Sequence, residues 1–364
     1  MDPARITEDD VRAALAGVAY PGMRRDIVSF GLVRSVAVRN GRVHVSLVVS
    51  TERAEVPDQL REAVRGAVLG LGAIRCEVQI VPPERKSGGV ADPWADRGRL
   101  PRVARVVAVG SGKGGVGKST VAANLALAFR ARGLRAGLLD ADIYGPSIPV
   151  ILGLEDGARR VAMTGDRKIV PLEAHGLPIV SFGFFLGAQS PAVWRGPMVS
   201  KAVKQFSRGV VWPDLDVLVV DLPPGTGDVP LSLAQSVVLD GGIVVTTPQR
   251  LSALEAAKAL EMFRKLDVPV LGVVENMSRA VCGCGRVSHP FGRGAGRALA
   301  DGAGVPLLAE LPFDEPVVAG EDAGNPPVVA QPEGEMAHAF LVLADAVAAR
   351  LGFVEAAAPA EIPR

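Results

Sequence analysis

Cysteine is scarce in this chain, with three residues among 364. So few cysteines exclude a scaffold held together by disulfides, the usual solution of small secreted domains. Two of the three, Cys282 and Cys284, stand one glycine apart in the stretch CGCG. Clustered thiols in a reducing compartment indicate metal or redox chemistry.

Aromatic residues and net charge are also low, at 4% and a formal +1. Dedicated nucleic-acid-binding proteins carry a basic surface and aromatic stacking platforms, and this composition supplies neither. No apolar run approaches the length needed to cross a bilayer, and the charged N-terminal residues 1–12 lack the apolar core of a signal peptide. We therefore expect a soluble cytoplasmic protein with neither nucleic acid nor membrane as a partner.

Apolar residues, in contrast, make up 48% of the chain, enough for sizeable cores. The length favours one large domain with a smaller one. Residues 83–102 carry proline, glycine and charge without periodicity, which is typical of a linker. We expect a small domain at 1–82, the large domain at 103–352 and a disordered tail at 353–364.

Along the small domain, stretches with helical periodicity alternate with stretches that have the periodicity of strands. Thr7 precedes acidic and then apolar residues at helical spacing, which predicts a helix over about 8–18. Residues 32–49 alternate apolar and polar on both sides of Asn40 and Gly41, the signature of a hairpin. A second helix near Pro57 and a strand that contains Cys76 follow. The predicted order is α-β-β-α-β, with Cys76 as a small buried hydrophobe.

The large domain begins with the continuous apolar run VARVVAVGS, typical of a strand buried on both faces of a parallel sheet. Similar runs recur at AGLLD, DVLVVD, GGIVVTT and VLGVVEN, separated by helical patterns. This alternation predicts an α/β fold with a doubly wound, mainly parallel sheet. Ligands of such sheets bind at the carboxyl ends of the strands, where the motifs below fall.

The stretch GSGKGGVGKST, residues 110–120, follows the first of these strands and opens a helix. Its backbone N–H groups turn inward toward phosphate oxygens, an approach that Cβ atoms would obstruct. In this motif we expect Lys118 to reach the β and γ phosphates and Ser119 to bind Mg²⁺, which predicts a P-loop NTPase for the large domain. We predict a nucleotide site formed by Gly112, Lys113, Gly114, Gly115, Val116, Gly117, Lys118, Ser119 and Thr120.

Aspartates end two other predicted strands. Asp221 in VLVVDLPPGTGD is predicted to hold Mg²⁺ through water. In LLDADIYGPSIP, Asp140 and Asp142 stand where a carboxylate can orient an attacking water, or can simply cap a loop.

A second lysine inside the phosphate loop, Lys113, makes the chain resemble the deviant Walker A ATPases, a family that includes MinD, ParA and the Mrp/ApbC iron-sulfur carriers. The resemblance implies that Lys113 crosses a homodimer interface to the partner's nucleotide. It also implies that Asp142 positions water and that Asp140 has a supporting role beside it. It also implies that Asn276 in ENMS reads adenine, so that ATP is the substrate of an ATPase. Local capping by the Asn276 side chain is the alternative.

Three stretches, DADIYGPSIP, DLPPGTGD and ENMS followed by cysteines and HPFGRGAG, resemble the Mrp/ApbC branch in particular, over about residues 103–345. The small domain resembles the iron-sulfur assembly domain that often precedes the ATPase in this branch. It departs from that pattern at residues 20–22, where relatives carry an acidic DPE-like segment and this chain has YPG. It departs again at residues 55–57, where many relatives have a Cys-Pro pair and this chain has EVP.

A [4Fe-4S] cluster needs four ligands, and one chain offers two clustered thiols. In a twofold dimer, Cys282 and Cys284 of both copies supply four thiolates. The family places two residues between its cysteines, and this chain places one. The alternatives are Zn²⁺ between two chains with His289 as a further candidate ligand, an easily reduced disulfide, and no metal.

These features predict a homodimeric ATPase that carries a [4Fe-4S] cluster to apo iron-sulfur proteins, with ATP and Mg²⁺ as cofactors. The alternatives are a MinD/ParA-like positioning or partitioning switch without a cluster, and a scaffold that binds nucleotide without hydrolysing it. The predicted last helix, EMAHAFLVLADAVAARLG, contains one arginine and no lysine, which argues against a basic membrane-binding helix.

Overall fold

The computed structural model of the protein describes residues 6–21, 26–39, 41–49, 55–81, 97–155, 161–185, 202–206, 208–282 and 284–353. These residues belong to two compact units that divide after residue 91. No helix among the described residues is both long enough and apolar enough to cross a membrane.

The N-terminal unit has the predicted α-β-β-α-β order. Its elements are α1 (Glu8–Leu15), β1 (Val33–Arg39), β2 (Arg42–Val48), α2 (Val56–Leu69) and β3 (Arg75–Val81). Strand β2 is central, antiparallel to β1 and parallel to β3. Helix α1 begins as expected, because Thr7 and Asp10 form a reciprocal capping box, but it ends before the predicted residue 18. Asn40, the predicted turn residue, lies outside the described residues.

One core holds this unit together, and Cys76 on β3 belongs to it with 3% of its surface exposed. Burial raises the pKa of the Cys76 thiol, because the thiolate would lose its hydration. The residue therefore packs as a small hydrophobe, as its place in an apolar strand predicts.

Eight strands of the second unit form one sheet, in the order β13-β10-β9-β4-β8-β5-β7-β6 among the described residues. Their bounds are β4 (Val103–Ser111), β5 (Ala136–Asp140), β6 (Leu172–Ala174), β7 (Leu177–Ser181), β8 (Leu215–Asp221), β9 (Gly241–Thr246), β10 (Val270–Glu275) and β13 (Leu307–Glu310). All neighbours are parallel except β6 and β7. The predicted mainly parallel α/β fold is confirmed.

Helices cover both faces of this sheet. They are α3 (Lys118–Ala131), α4 (Ile148–Ile151), α5 (Asp228–Ser236), α6 (Arg250–Lys265), α7 (Ala295–Ala303), α8 (Glu315–Asp322), α9 (Pro327–Ala330) and α10 (Glu335–Leu351). Strand β4 shows the layering, since Val107 and Val109 join one core while Val106 and Ala108 join the other. A strand buried on both faces must be apolar throughout, which is why its sequence shows no alternation.

The carboxyl ends of the strands meet along one edge. Asp140 at the end of β5 is paired with Asp221 at the end of β8, and Glu275 at the end of β10 is paired with Thr246 of β9. Beyond Glu275 the chain forms a small antiparallel hairpin from β11 (Ala280–Val281) and β12 (Val287–Ser288). Neither this hairpin nor the pair β6 and β7 was predicted from the sequence, because each strand is too short for its periodicity to register.

Candidate nucleotide and cysteine site

The phosphate loop, residues 112–117, joins β4 to α3. Gly115 and Gly117 have φ angles of 77° and 81°, in the left-handed region that glycine adopts without steric cost. Gly117 is also the N-cap of α3, so the positive end of this helix faces the loop. The loop therefore has the backbone geometry that an anion site requires.

Gly112 is needed for a different reason, which sequence reasoning missed. A Cβ atom at this position would lie 2.0 Å from the carbonyl carbon of Glu255 and 2.4 Å from the nitrogen of Ala256. Both atoms belong to the backbone of α6, which a rotamer change cannot move. Gly112 thus allows α6 to pack directly against the phosphate loop.

Lys118, Ser119 and Asp221 converge behind the loop. The Lys118 ammonium donates to Asp221 Oδ1 at 2.6 Å and approaches Ser119 Oγ at 3.2 Å. Ser119 Oγ donates to Asp221 Oδ2 at 2.6 Å. Lys118 is only 6% exposed and Asp221 is fully buried, so the ion pair is shielded from water. The structure thus brings together three residues that the sequence assigned to phosphate and Mg²⁺.

Asp142 completes this group. Its Oδ2 lies 3.8 Å from the Lys118 ammonium, and its Oδ1 accepts hydrogen bonds from the backbone N–H groups of Tyr144 and Gly145. These bonds hold the carboxylate at the mouth of the loop, beside a cavity of about 320 Å³ that Asp142 lines together with the phosphate loop. The position is compatible both with the predicted water-orienting role and with the loop-capping alternative.

Asp140 lies deeper, at the end of β5, and is fully buried. It accepts hydrogen bonds from Ser181 Oγ at 2.8 Å and from the Asp142 N–H at 3.0 Å. Burial, reinforced by the neighbouring Asp221 carboxylate, raises the pKa of Asp140 to about 8. Asp140 therefore supports the backbone of Asp142 and has no surface from which to contact a ligand.

These groups fit Mg²⁺ and phosphate chemically. Hydroxyl and carboxylate oxygens are the ligands that Mg²⁺ accepts, and Ser119 and Asp221 present both beside the loop. The Lys118 ammonium, bonded here to Asp221, supplies the cation that a phosphate in the loop requires. The arrangement can therefore hold a magnesium-bound nucleoside triphosphate.

Lys113 is half-buried in the loop, and its ammonium lies 3.3 Å from Gln249 Oε1 of the same chain. Gln249 immediately precedes α6 and was not anticipated from the sequence. A reach across a dimer interface, as the resemblance implies, requires Lys113 to leave this contact. Its role in a partner's site remains a prediction.

Asn276 follows directly after β10 and touches the phosphate loop. Its side-chain amide donates to the Val116 carbonyl at 3.0 Å, and a Cβ atom on Gly117 would lie 2.1 Å from the same amide nitrogen. This bond joins residues 160 positions apart, so the side chain does not cap a local turn. Its assignment to adenine remains a prediction.

The cysteines lie in the turn between β11 and β12. The Cys282 N–H donates to the Arg286 carbonyl at 3.0 Å, which closes the turn. The two sulfur atoms are in contact as a disulfide, with the Cα atoms 5.3 Å apart. The sequence predicted thiolates here, whereas the structure pairs the two sulfur atoms across one intervening residue. Reduction must precede any metal binding by Cys282 and Cys284.

His289, the other candidate ligand, has one ring nitrogen engaged by the backbone. Its ring Nδ1 is hydrogen-bonded to the Ser278 carbonyl at 2.8 Å. Among the described residues, no group of three or more His, Cys, Asp or Glu side chains is arranged to hold a metal.

The cysteine loop, residues 277–294, is anchored at its base. Glu275 accepts a hydrogen bond from the Gly296 N–H, the start of α7, at 2.6 Å. Burial raises the pKa of this carboxyl group. Ser278 donates through both its backbone N–H and its hydroxyl to the Leu311 carbonyl, each at 2.9 Å. The loop is therefore fixed at both ends while its tip, with Cys282 and Cys284, is exposed.

Sequence reasoning missed a second carboxylate, Glu321 on α8. Its two oxygens accept hydrogen bonds from Thr120 Oγ1 at 2.7 Å and from Asn124 Nδ2 at 2.8 Å. The side chain is 8% exposed, and burial raises the pKa of its carboxyl group. The one signal in the sequence is its spacing, four residues after Val317, which places it on the buried face of the helix.

A family model matches within each of the two compact units of the chain. A family model described as NUBPL iron-transfer P-loop NTPase, of the ParA type, matches residues 102–348. A second model, described as iron-sulfur cluster assembly protein, matches residues 8–80.

Curated relatives named iron-sulfur cluster carrier protein match almost the whole chain, among them those from three bacteria. The one from Deinococcus radiodurans is 44% identical and is covered to 95%, over 94% of this chain. That from Haemophilus influenzae is 39% identical, with 98% of this chain and 95% of the relative covered. That from Escherichia coli is 38% identical, with 97% and 94% covered.

Solved structures resemble the large unit. A nucleotide-binding protein from Archaeoglobus fulgidus in complex with ADP superimposes with a TM-score of 0.57 at 37% identity, covering 66% of this chain and 94% of that one. The cell division ATPase MinD of Pyrococcus furiosus shares the fold, with a TM-score of 0.51 at 24% identity over 67% of this chain and 98% of that one. By the match over residues 102–348 and the identity along nearly its full length, the chain belongs to the ParA-like P-loop NTPase family of iron-sulfur cluster carrier proteins.

Proposed function

We propose that the protein binds and hydrolyses ATP with Mg²⁺ and that two copies of the chain together carry a [4Fe-4S] cluster, which they deliver to apo iron-sulfur proteins. The observation that carries this proposal is the 3.0 Å hydrogen bond from Asn276 to the Val116 carbonyl. Asn276 directly precedes the cysteine loop, and Val116 belongs to the phosphate loop. The nucleotide site and the cysteines are therefore parts of one continuous structure.

At the nucleotide site, Lys118 would exchange Asp221 for the β and γ phosphates and neutralise part of their charge. Ser119 would hold Mg²⁺ directly. Asp221, released when Lys118 turns to the phosphates, would hold Mg²⁺ through water. Bound Mg²⁺ would supply further neutralisation of the phosphates. Asp142, fixed by two backbone N–H groups at the mouth of the loop, would orient the attacking water.

The tip of the cysteine loop has the surface expected of a contact between two copies. Val281 and Val287 flank the turn, and each is 50% exposed. Exposed valines beside a cysteine pair would be buried when two tips meet, which supports a twofold arrangement. The reduced pairs of two chains supply four thiolates, the number a [4Fe-4S] cluster needs. The names of the curated relatives support the same cargo.

Hydrolysis would then act on the cysteines through the shared structure. Asn276 directly precedes the cysteine loop. Ser278 at the loop base is bonded to the segment after β13, and Glu275 just before the loop is bonded to α7. A change of nucleotide that shifts Val116 would therefore shift the loop that presents the thiols. We propose that this movement links nucleotide state to cluster binding or transfer.

Anaerobic reconstitution of the full-length, reduced protein with iron and sulfide tests the cargo. We expect about four irons per dimer in the wild type, and loss of the cluster absorption in Cys282→Ala and in Cys284→Ala. Cys76→Ala is the matched control, since it removes the remaining cysteine, which is buried in the other unit. Zinc as the only bound metal, or an iron content that the two loop variants leave unchanged, would refute the cluster site.

Mixing two inactive variants tests the shared nucleotide site. Lys113→Ala and Lys118→Ala should each abolish phosphate release when alone. If Lys113 acts across the dimer, a mixed dimer rebuilds one complete site, and equal mixing restores about a quarter of the wild-type rate. If Lys113 acts within its own chain, every site in the mixture lacks one lysine, and no activity returns.

A further inference from the structure

Glu321 is a buried carboxylate that the proposed chemistry does not use. It lies in the last turn of α8, and both of its oxygens accept hydrogen bonds from α3, the helix that opens at the phosphate loop. Thr120, one of its donors, is the last residue of the predicted nucleotide site. The other donor, Asn124, is fully buried one turn further along α3.

The two donors are themselves tied together. Asn124 Nδ2 also donates to the Thr120 carbonyl at 3.0 Å, and Asn124 Oδ1 lies 3.5 Å from the Val328 N–H of α9. Glu321 therefore ends a compact polar network inside an otherwise apolar core. Because buried donors are costly to leave unpaired, the network holds the first turn of α3 and the end of α8 in one fixed relation.

The opposite end of α8 leads to the cysteine loop. The segment just before this helix pairs with the base of the loop, since the Leu311 carbonyl accepts from Ser278 and the Phe313 N–H donates to the Arg279 carbonyl at 2.6 Å. Helix α8 begins at Glu315, two residues after Phe313. Its eight residues span about 12 Å at the rise of an α-helix, so it is a short, stiff connection between the two sites.

We propose that Glu321 is a positioning residue that transmits the state of the phosphate loop to the cysteine loop through α8. A nucleotide that moves Thr120 pulls on Glu321, and α8 carries the displacement to Leu311 and Phe313, which are bonded to the loop base. This route is separate from the contact between Asn276 and Val116. It rests on the proposed function, because it assumes that nucleotide binds at the loop and that the cysteines act as thiols.

Three variants of the full-length protein separate this role from simple stabilisation. Glu321→Met keeps the length of the side chain and removes both acceptors. Glu321→Gln keeps an acceptor for Asn124 and can donate to the Thr120 hydroxyl, so it is the conservative variant expected to restore the link. Glu315→Met is the matched control, an identical change on the same helix at an exposed position.

The measurement is the rate at which iodoacetamide alkylates Cys282 and Cys284, in protein reduced beforehand, with and without saturating Mg-ATP. Peptide mass spectrometry separates these thiols from Cys76. We expect the two rates to differ by about five-fold or more in the wild type, the lower end of ordinary coupling between sites. The ratio should stay the same in Glu315→Met and Glu321→Gln. It should fall well below the wild-type value in Glu321→Met, which keeps only the separate contact between Asn276 and Val116.

Other outcomes contradict the inference in distinguishable ways. A wild-type ratio in Glu321→Met, with ATP bound, overturns the route through α8 and leaves the proposed function intact. Failure of Glu321→Met to bind ATP makes Glu321 a nucleotide-binding residue and also overturns it. A ratio of one in the wild type removes the coupling from the proposed function and this inference with it. If Glu321→Met does not fold, Asn124→Leu breaks the network from the other helix, and the same ratios decide.

Discussion

Replacement of Lys118 by methionine should destabilise the large unit as well as prevent nucleotide binding. The Lys118 ammonium is bonded to Asp221 at 2.6 Å, and both side chains are almost completely buried. Methionine preserves the length of the side chain and removes its charge. Asp221 is then left buried beside Asp140 and Asp142 without a cation.

The expected loss follows from the burial of the pair. Removal of one partner from a buried ion pair costs about 3–5 kcal/mol, because the remaining charge has lost both its hydration and its counterion. That is a large part of a total stability of about 5–15 kcal/mol. Asp221→Asn added to Lys118→Met removes the stranded charge, so the double variant should recover about 1–3 kcal/mol relative to the sum of the single changes.

Tryptophan fluorescence during urea unfolding measures the loss of stability of the large unit alone. All three tryptophans, Trp94, Trp194 and Trp212, lie after residue 91, so the N-terminal unit does not contribute to the signal. Lys258→Met is the matched control, since Lys258 pairs with Glu255 on the exposed face of α6, where ion pairs contribute about 0–1 kcal/mol. Equal losses for Lys118→Met and Lys258→Met would refute the reasoning.

Three further predictions concern the same site. Gly112→Ala should lower the stability of the large unit by about 1–3 kcal/mol in the same assay, because its Cβ meets the α6 backbone. Gly114→Ala, whose Cβ would have nothing within 4 Å, should affect only ATP affinity. Equal stabilities for the two variants would contradict the packing argument. Asp140 has a pKa raised from 3.8 to about 8, so its contribution to stability is fully present below pH 3.8 and is lost as the pH rises toward 8. Asp140→Asn should therefore gain stability over the wild type as the pH rises, and a difference independent of pH would count against it. Asn276→Ala should weaken ATP binding in a fluorescent-nucleotide titration by up to about ten-fold, because it removes one buried hydrogen bond. Unchanged affinity would exclude a role of Asn276 in nucleotide binding.

Much of the fold follows from local patterns. The strand, glycine loop and helix around residues 103–131 are adjacent in the chain, so their order alone predicts a phosphate site at a helix N-terminus. The capping box of Thr7 and Asp10 and the burial of Cys76 are equally local. Elements without a strong period were not predicted, among them β6, β7 and the hairpin that carries the cysteines.

The sequence named the residues of the candidate site, and the structure gives the contacts among them. Lys118, Ser119 and Asp221 were expected to serve one nucleotide, and the structure brings them within hydrogen-bond distance. The disulfide between Cys282 and Cys284 was the disfavoured alternative, because a ring closed across a single residue is very small and is easily reduced in the cytosol. Glu321 was missed because it stands in no motif, and its partners lie about 200 positions away, in α3.

The sequence by itself determined the longer helices and strands, the phosphate loop and the identity of the residues at the ends of those strands, because each depends on neighbours along the chain. Only the tertiary structure decided which of these residues meet. The sheet order places β5, β8, β4 and β9 side by side, although no two neighbours among them are consecutive strands of the chain. That order alone sets Asp221 against Lys118, Gly112 against α6 and Asn276 against Val116, since each contact joins segments whose separation no local pattern encodes.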